Sequence, residues 1–551
     1  VKTQQILFNF LSVVTLAVLS SQSANADTID FSQIEKILNY SIPTSEETTG
    51  SFQLSTPSEP ISPDDVEQPS LKPQETNNNQ VEVLPNTTGN SSTQKIPKKV
   101  NPNNSNDTKN EYKSVLDSLA PNPNPLQYPT KPEEVQIQKI QAITLEQALE
   151  LARRNNQELQ VGLLELERAL AQLKEAQASL LPSAGLSAEF GRQQSAQNQL
   201  AVESTNISSD EATTAFNSSL QLNYDLYTGG RRNAQIGQAE ERLQIQELAV
   251  EALEEELRLN VSTEYFDLQQ ADEEVRIAQA AVVNARASLR DAQALERAGV
   301  GTQFDVLRTQ VNLANTQQEL TNAISSQQVA RRRLVTRLGI AQSVDIAAAD
   351  PVKLASLWKL SLENSIVLAY QNRSELKQQL AQRNINLLDR RLALSALKPQ
   401  ITLVASYSLL DQFDDSVSVT DGYSVAVRAN FSLYDGGRAK AEAAQAKANV
   451  KIAETQFSET RNQIRFQVEQ AFSGLESNLE NVQTSNAALE QARESLRLAR
   501  LRFQAGVGTQ LEVIDAENAL TTAEGNSVRA ILDYNRALAS LRRSVTTKAL
   551  R

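Results

Sequence analysis

Two hydrophobic periodicities run through this chain, and each occurs twice. In 184–190, Ala184, Leu186, Ala188 and Phe190 alternate with Gly185, Ser187 and Glu189. In 216–226, Phe216, Leu220, Leu222, Tyr224 and Leu226 alternate with polar neighbours such as Ser219, Gln221 and Asn223. The pattern returns in Ile401, Leu403, Ala405, Tyr407 and Leu409, then in Tyr423, Val425, Val427, Ala429, Phe431 and Leu433. A period of two gives a strand one apolar and one polar face. It predicts two β-hairpins, over 183–227 and 400–434, with strands of about 9–11 residues, the length a tilted strand needs to cross a bilayer.

The second periodicity is helical. Residues 231–298 and 438–505 contain no proline, and each predicts one helix about 100 Å long at ~1.5 Å per residue. Ala271, Val275, Ala278, Val282, Ala285, Leu289 and Ala292 step by four and three, as do Ile464, Val468, Ala471, Leu475, Asn478, Val482, Ser485, Leu489, Ala492, Leu496, Ala499 and Phe503. That is coiled-coil spacing, with small and large residues alternating so that neighbours interlock. Each rod ends at AGVGT, 298–302 and 505–509, where glycine closes one helix and Thr302 or Thr509 opens the next. Asp305 and Glu512 stand at capping-box spacing from those threonines, Glu512 being the better match. Return helices follow over about 302–338 and 509–545. Shorter helices, about 156–180 and 375–397, precede Pro182 and Pro399. Stacked end to end, a short and a return helix cover roughly 90 Å, so the pattern predicts a wall four helices wide around a tall cylinder.

The chain is internally duplicated. TLEQALELARRNNQEL (144–159) matches SLENSIVLAYQNRSEL (361–376), and Pro182 matches Pro399, both at an offset of 217. LYTGGR (226–231) and LYDGGR (433–438), and the two AGVGT turns, match at an offset of 207. The ten-residue change falls in the polar stretch 192–215, whose counterpart 410–422 is shorter; both read as loops. The repeats span 140–340 and 361–545, joined by an equatorial linker at 341–360. Gly229, Gly230, Gly436 and Gly437 form the strand-to-helix joints. Residues 1–26 read as a secretory signal peptide, with Lys2, an apolar run at 6–19 and Ala24-Asn25-Ala26. Residues 27–135 hold fourteen of the seventeen prolines among Asn, Ser and Thr, and read as a disordered spacer. The fold class is mainly α with a small β part.

Composition narrows the function. A net charge of -13 argues against a nucleic-acid partner. With no His, Cys or Met, thiol and imidazole catalysis, haem ligation and Cys/His zinc sites are excluded, so neither enzyme, cofactor nor bound metal is expected. The same lack of soft ligands argues weakly against a heavy-metal exporter. Arg331-Arg332-Arg333 and Arg542-Arg543 read as solvated charge runs, with inter-helix pairing as the lesser alternative.

Four strands cannot close a barrel, and an open edge in hydrocarbon leaves N–H and C=O groups unpaired at several kcal/mol each. The missing strands must come from other copies. Two chains would give eight strands, three twelve and four sixteen; since eight strands are filled by their own side chains, a pore needs at least three copies.

The duplication, the paired LYxGGR joints and the paired turns GVGTQFDVLRTQ (299–310) and GVGTQLEVIDAEN (506–518) together resemble the TolC family of outer-membrane efflux proteins, over about 140–545. The resemblance implies a homotrimer whose twelve-stranded barrel sits in outer-membrane lipid on a periplasmic α-helical tunnel. It implies work with a periplasmic adaptor (a membrane fusion protein) and an inner-membrane pump of ABC or RND type, exporting small molecules, drugs or proteins. By position, the adaptor would dock at Gly299, Val300, Gly301 and Thr302 and at Gly506, Val507, Gly508 and Thr509. The periplasmic gate would fall at Glu512 and Asp515, three apart on one helical face; three copies would set six carboxylates around the axis. The same acids also suit a helix N-terminus. The long extension is atypical of the family and in keeping with a cyanobacterial-type member. The rival reading is a periplasmic coiled-coil adaptor or structural protein without a pore.

Overall fold

A computed structural model describes residues 128–137, 139–194, 212–413 and 419–545, with Leu119, Asn124 and Leu126. The signal-peptide reading, nearly all of the extension and most of the long loop of the first hairpin lie outside the described residues.

The two repeats fold to the same plan, helix for helix. In the first, α1 (Leu145–Asn155), α2 (Gln157–Ala178), α3 (Arg231–Arg297) and α4 (Gln303–Leu338) have 11, 22, 67 and 36 residues. In the second, α5 (Leu362–Asn372), α6 (Ser374–Ser395), α7 (Arg438–Gln504) and α8 (Gln510–Val545) have the same four lengths. No described helix is long and apolar enough to cross a membrane.

The short and return helices stack end to end, as their lengths predict. Asn156 sits at the junction and serves both ends. Its Oδ1 accepts from Leu159 N at 2.9 Å, capping α2, and its Nδ2 donates to Arg337 O at 2.9 Å near the end of α4. One side chain thereby satisfies two otherwise orphaned helix termini. The second repeat has Arg373 at this place, and it donates to Ser544 O at 3.3 Å near the end of α8.

Each repeat carries its own core beside this junction. Leu257, Val261, Leu268 and Leu334 in one cluster correspond, 207 residues on, to Ile464, Val468, Leu475 and Leu541 in the other. Fully burying one such side chain contributes about 1.5–3 kcal/mol. Around the lower wall the order of touching helices is α4, α3, α8, α7; around the upper wall it is α2, α3, α6, α7. α3 is therefore flanked on both sides. Its predicted seam is buried at Ala271, Val275, Val282, Ala285 and Ala292, and a second line, Ile277, Ala281 and Ser288, is buried as well. α7 buries its predicted seam at Ile464, Val468, Leu475, Val482 and Leu496, buries an unpredicted run of small residues from Ala439 to Ala453 before it, and leaves Phe466, Leu498 and Leu501 exposed.

The membrane-length strands are β2 (Ser183–Gln193), β3 (Thr213–Tyr227), β5 (Gln400–Gln412) and β6 (Thr420–Asn430). They form one antiparallel sheet in the order β2-β3-β5-β6. Its register keeps the two faces apart. One row reads Leu186, Leu220, Tyr407, Tyr423, and the row beside it on the opposite face reads Gly185, Gln221, Ser406, Ser424.

Four expectations change. The equatorial linker holds a strand, β4 (Val344–Ala348), which pairs in parallel with β1 (Lys139–Ile143). Beyond it the linker is pinned to α8, with Asn535 bonding Lys353 O and Ala355 N at 2.9 Å each. Leu226 does not continue the alternation: a bulge lies between Asp225 and Tyr227, and Tyr227 stands opposite Ile401 instead. β6 stops at Asn430, opposite Gln400, because Pro399 precedes the start of β5 and offers no N–H; Leu433 is left 88% exposed. The extension is not wholly detached: Leu119 is 1% exposed within the first core, and its carbonyl accepts from Ala341 N at 3.4 Å. Pro132–Val135 form an exposed 3-10 turn.

The second junction carries a charge network. Arg373 donates to Glu375 at 2.8 and 2.9 Å, and Arg543 joins Glu375 at 2.9 Å and Glu256 at 3.1 Å. Burial alone would raise the Glu375 pKa, but the bonds and charge of Arg373, and then Arg543, outweigh it and hold the carboxyl at about 2. The folded value lies below the unfolded one, so this stabilisation is present above the ordinary carboxyl range and disappears as pH falls through about 2. Glu375→Gln should therefore lower the thermal midpoint, followed by circular dichroism, at neutral pH, with the gap to wild type closing towards pH 2. An undiminished gap at acid pH would contradict the assignment.

Candidate functional site

The far ends of the two helix hairpins are built alike. Gly299 and Gly506 adopt φ of 77° and 74°, the left-handed conformation that closes α3 and α7. Val300 and Gly301 N–H groups then both donate to Leu295 O, and Val507 and Gly508 both to Arg502 O, at 3.0–3.1 Å. Gly301 and Gly508 are required for closeness: a Cβ at Gly301 would lie 2.9 Å from Glu296 N, and at Gly508 3.0 Å from Phe503 N. Thr302 and Thr509 cap the return helices through Asp305 N at 3.2 Å and Glu512 N at 3.3 Å. The turns thrust Val300 and Val507 outward, 76% and 69% exposed. On the first hairpin Phe304, Leu307 and Val311 extend Val300 into one exposed apolar stripe, at helical spacing.

The predicted acid pair is split. Glu512 does not complete a capping box; its carboxylate turns to Arg502 across the hairpin at 3.5 Å. Asp515 is exposed and has no hydrogen-bond or ion-pair partner among the described residues. Asp305 takes the Thr302 hydroxyl at 2.6 Å.

Sequence reasoning missed a third acid of this segment, Glu517, which is 6% exposed. It accepts from Ser288 of α3 at 3.2 Å and from Arg500 of α7 at 3.0 Å, and Arg500 also reaches Asn284 of α3 at 3.2 Å. One carboxylate on α8 thus ties that helix to both helices that flank it near the tip. The available signal was its place: Val513, Ile514, Ala516 and Glu517 lie on the buried face of α8, so an acid there needed a partner.

The joints also correspond. Gly229 and Gly230 have φ of 63° and 94°, and Gly436 and Gly437 of 70° and 88°. At Gly229 an added Cβ would meet Lys398 Cβ at 2.8 Å, so the first joint is packed on the end of the second repeat's short helix; around Gly436 nothing lies within 4 Å. The arginine runs are mostly paired rather than solvated, because they point into the crowded equator. Arg331 joins Asp272, Arg332 joins Asp345 and Arg543 joins two glutamates, while Arg333 is exposed.

A two-faced four-stranded sheet, twin long hairpins and a matched duplication are now in place. The model of the outer membrane efflux protein family matches residues 148–340 and 365–547, both repeats in turn. The chain belongs to that family. This efflux protein is 26% identical over 413 residues to the pyoverdine export outer membrane protein OpmQ of Pseudomonas putida, covering 72% of this chain and 84% of that one. It is 24% identical over 419 residues to the outer membrane protein TolC of Escherichia coli, covering 72% and 80%. It is also 26% identical to the cobalt-zinc-cadmium resistance protein CzcC of Cupriavidus metallidurans over 401 residues, covering 69% and 84%. Among solved structures, CusC superposes with a TM-score of 0.64 at 17% identity, covering 77% of this chain and 97% of that one. VceC of Vibrio cholerae gives 0.62 at 18%, covering 73% and 95%. The efflux protein therefore has the TolC-type fold.

Truncating Arg500 to alanine would strand the Glu517 carboxylate against Ser288. Breaking a buried pair costs several kcal/mol, reduced to about 1–3 kcal/mol where one partner is half exposed, as Arg500 is. Arg500→Ala should speed amide hydrogen exchange in the tip segments around 284–292 and 496–520 while leaving the equatorial cores protected. Equal acceleration in both regions, or none at the tip, would refute a local tie.

Proposed function

We propose that this efflux protein is the exit duct of a tripartite export system: a homotrimer with a twelve-stranded barrel in the outer membrane and a helical tunnel in the periplasm. The observation that carries this reading is the sheet, two-faced in register and open at both edges, since β2 and β6 are exposed along their whole length. A barrel needs its apolar face to lipid, its polar face to water and no edge. Internal duplication supplies the closing geometry. Within the chain, the Gly229 joint packs on Lys398; at an offset of 217 the residue matching Lys398 is Leu181, exposed, and the Gly436 joint is open. Copies placed so that Gly436 packs on a neighbour's Leu181 would repeat the internal contact around a ring, joining the bare flank of α7 to the bare flank of α4.

The exposed Val300 and Val507 tips, with Phe304, Leu307 and Val311, suit docking of a periplasmic adaptor, which in turn meets an inner-membrane ABC or RND pump. The pump supplies the energy, and this chain supplies a path and a gate without catalysis. Asp515, unpaired and exposed, is the better placed of the two gate acids; Glu512 is partly engaged by Arg502. The relatives' names range from pyoverdine export to cobalt, zinc and cadmium resistance, so a shared duct carries no single cargo. A pore-less coiled-coil protein would leave the two-faced sheet without a role.

Purified from outer membranes, the protein should run as a heat-resistant oligomer three times the chain mass and open channels in planar bilayers. Glu512→Gln with Asp515→Asn should change single-channel conductance or cation block. A monomer silent in lipid would end the duct reading; a double variant indistinguishable from wild type would end only the acid gate.

A further inference from the structure

The polar face of the sheet is nearly free of charge. Serines, glycines, Asn223, Gln221 and Thr402 line it, and among the described residues its charged positions are Glu189, Asp225 and Arg428. Glu189 sits towards the loop end. Asp225, Thr402 and Arg428 form one row at the end next to the helices.

Asp225 is already occupied. Arg231 pairs with it at 3.1 Å and Thr402 donates to it at 2.9 Å, while its backbone carbonyl takes Arg232, whose guanidinium lies 5.9 Å from the Tyr224 ring centre. Arg428, two strands away, is exposed and has no hydrogen-bond or ion-pair partner among the described residues. The row and the joint beneath Asp225 thus hold three guanidiniums, Arg231, Arg232 and Arg428, against one carboxylate; the joint beneath Arg428 adds Arg438 and Asp435, whose carboxylate is taken by the Gly437 and Ala439 N–H groups at 2.9 and 2.8 Å.

We infer that Arg428 is a specificity-determining residue, setting a preference for anions at the base of the barrel. The inference rests on the duct reading, in which the polar face lines the lumen. Closure would bring a neighbour's β2 beside β6, and the same face of β2 offers Ser183, Gly185 and Ser187 at its helix-proximal end, with Glu189 towards the other end. Closure therefore adds no carboxylate at that level. Three copies make a ring of free guanidiniums around the aqueous bore, where low-dielectric walls focus the field. The tip acids lie about a long helix away, roughly 100 Å. A Debye length of about 8 Å at physiological salt separates the two zones, so the base draws carboxylate-bearing solutes whatever the tip does. Arg428 also stands on an edge strand, where an inward charge can act merely as a guard against mispairing.

The test is the chloride-to-potassium permeability ratio of the full-length protein in planar bilayers under a potassium chloride gradient. Arg428→Gln should lower the ratio about twofold or more, the effect fading in 1 M salt where the screening length falls to about 3 Å. Arg428→Lys should keep it. Ala426→Glu retains the arginine but sets a carboxylate on the same face two residues along, and should lower the ratio equally, so the test survives a Gln variant that does not assemble. An unchanged ratio in the conducting Gln and Glu variants would overturn the inference and leave the duct standing. A wild-type protein that conducts nothing would instead overturn the duct reading itself.

Discussion

An unpaired backbone edge is the constraint on which this molecule is organised. The four membrane-length strands satisfy each other only in the middle of their sheet, leaving the outer N–H and C=O rows of β2 and β6 open. In water an open edge is a liability; in hydrocarbon it costs several kcal/mol per group. The helical wall below has the same incompleteness. α3 is packed on both flanks, whereas α7 and the α2/α4 stack each present one flank with nothing beside it. Both layers are open at matching sides, so one assembly step can close both. Family membership and the open-edged architecture agree on this without either depending on the other.

The equal helix lengths, a product of the duplication, suit that closure. In a ring of alternating repeats, each long rod runs beside a neighbour made of two stacked pieces, and a mismatch in either would shear the wall. The 22- and 36-residue helices meet end to end, and the junction is where polar side chains replace the missing backbone bonds. The two repeats solve this differently. Asn156 caps both helices as a neutral amide. Arg373 serves only the end of α8, through Ser544 O, leaves the start of α6 without a side-chain cap, and recruits Glu375, Arg543 and Glu256 into a network. The backbone plan was duplicated; the junction chemistry diverged.

Much of this was legible in the sequence, because the dominant signals are periodic. Seams at four-and-three spacing, strands at period two and proline-free rods fix faces and lengths before any contact is known. The AGVGT turns and Gly-Gly joints were legible since left-handed φ and close approach leave glycine as the fit. What escaped were pairings between distant segments. β1 and β4 are five residues each and about two hundred residues apart, too short for periodicity to announce. The bulge at Leu226 is invisible to a count of alternation, and the end of β6 depends on Pro399 in its partner strand. Leu119 lay in a compositionally disordered stretch, and only its burial distinguishes it from its surroundings. At the tip, spacing singled out Glu512 and Asp515 on a shared helical face but gave no weight to Glu517, the buried acid with fixed partners.

That difference between acids bears on what holds the tip together. α3 is held by two buried seams, so displacing it would expose apolar surface on both sides. α7 is held within its chain by one seam, shared with α8 over the lower wall, and α8 reaches α3 chiefly through small residues such as Ala281 and Ser288. Within one chain the burial is therefore unequal, the long rod of the first hairpin being packed on two flanks and that of the second on one. Glu517 lies between the two rods, bonded to α3 through Ser288 and to α7 through Arg500. A buried carboxylate with two such partners stabilises this packing only while both are in place. Loss of either partner would leave a buried charge short of a bond, whereas the exposed Asp515 and the half-exposed Glu512–Arg502 pair are solvated.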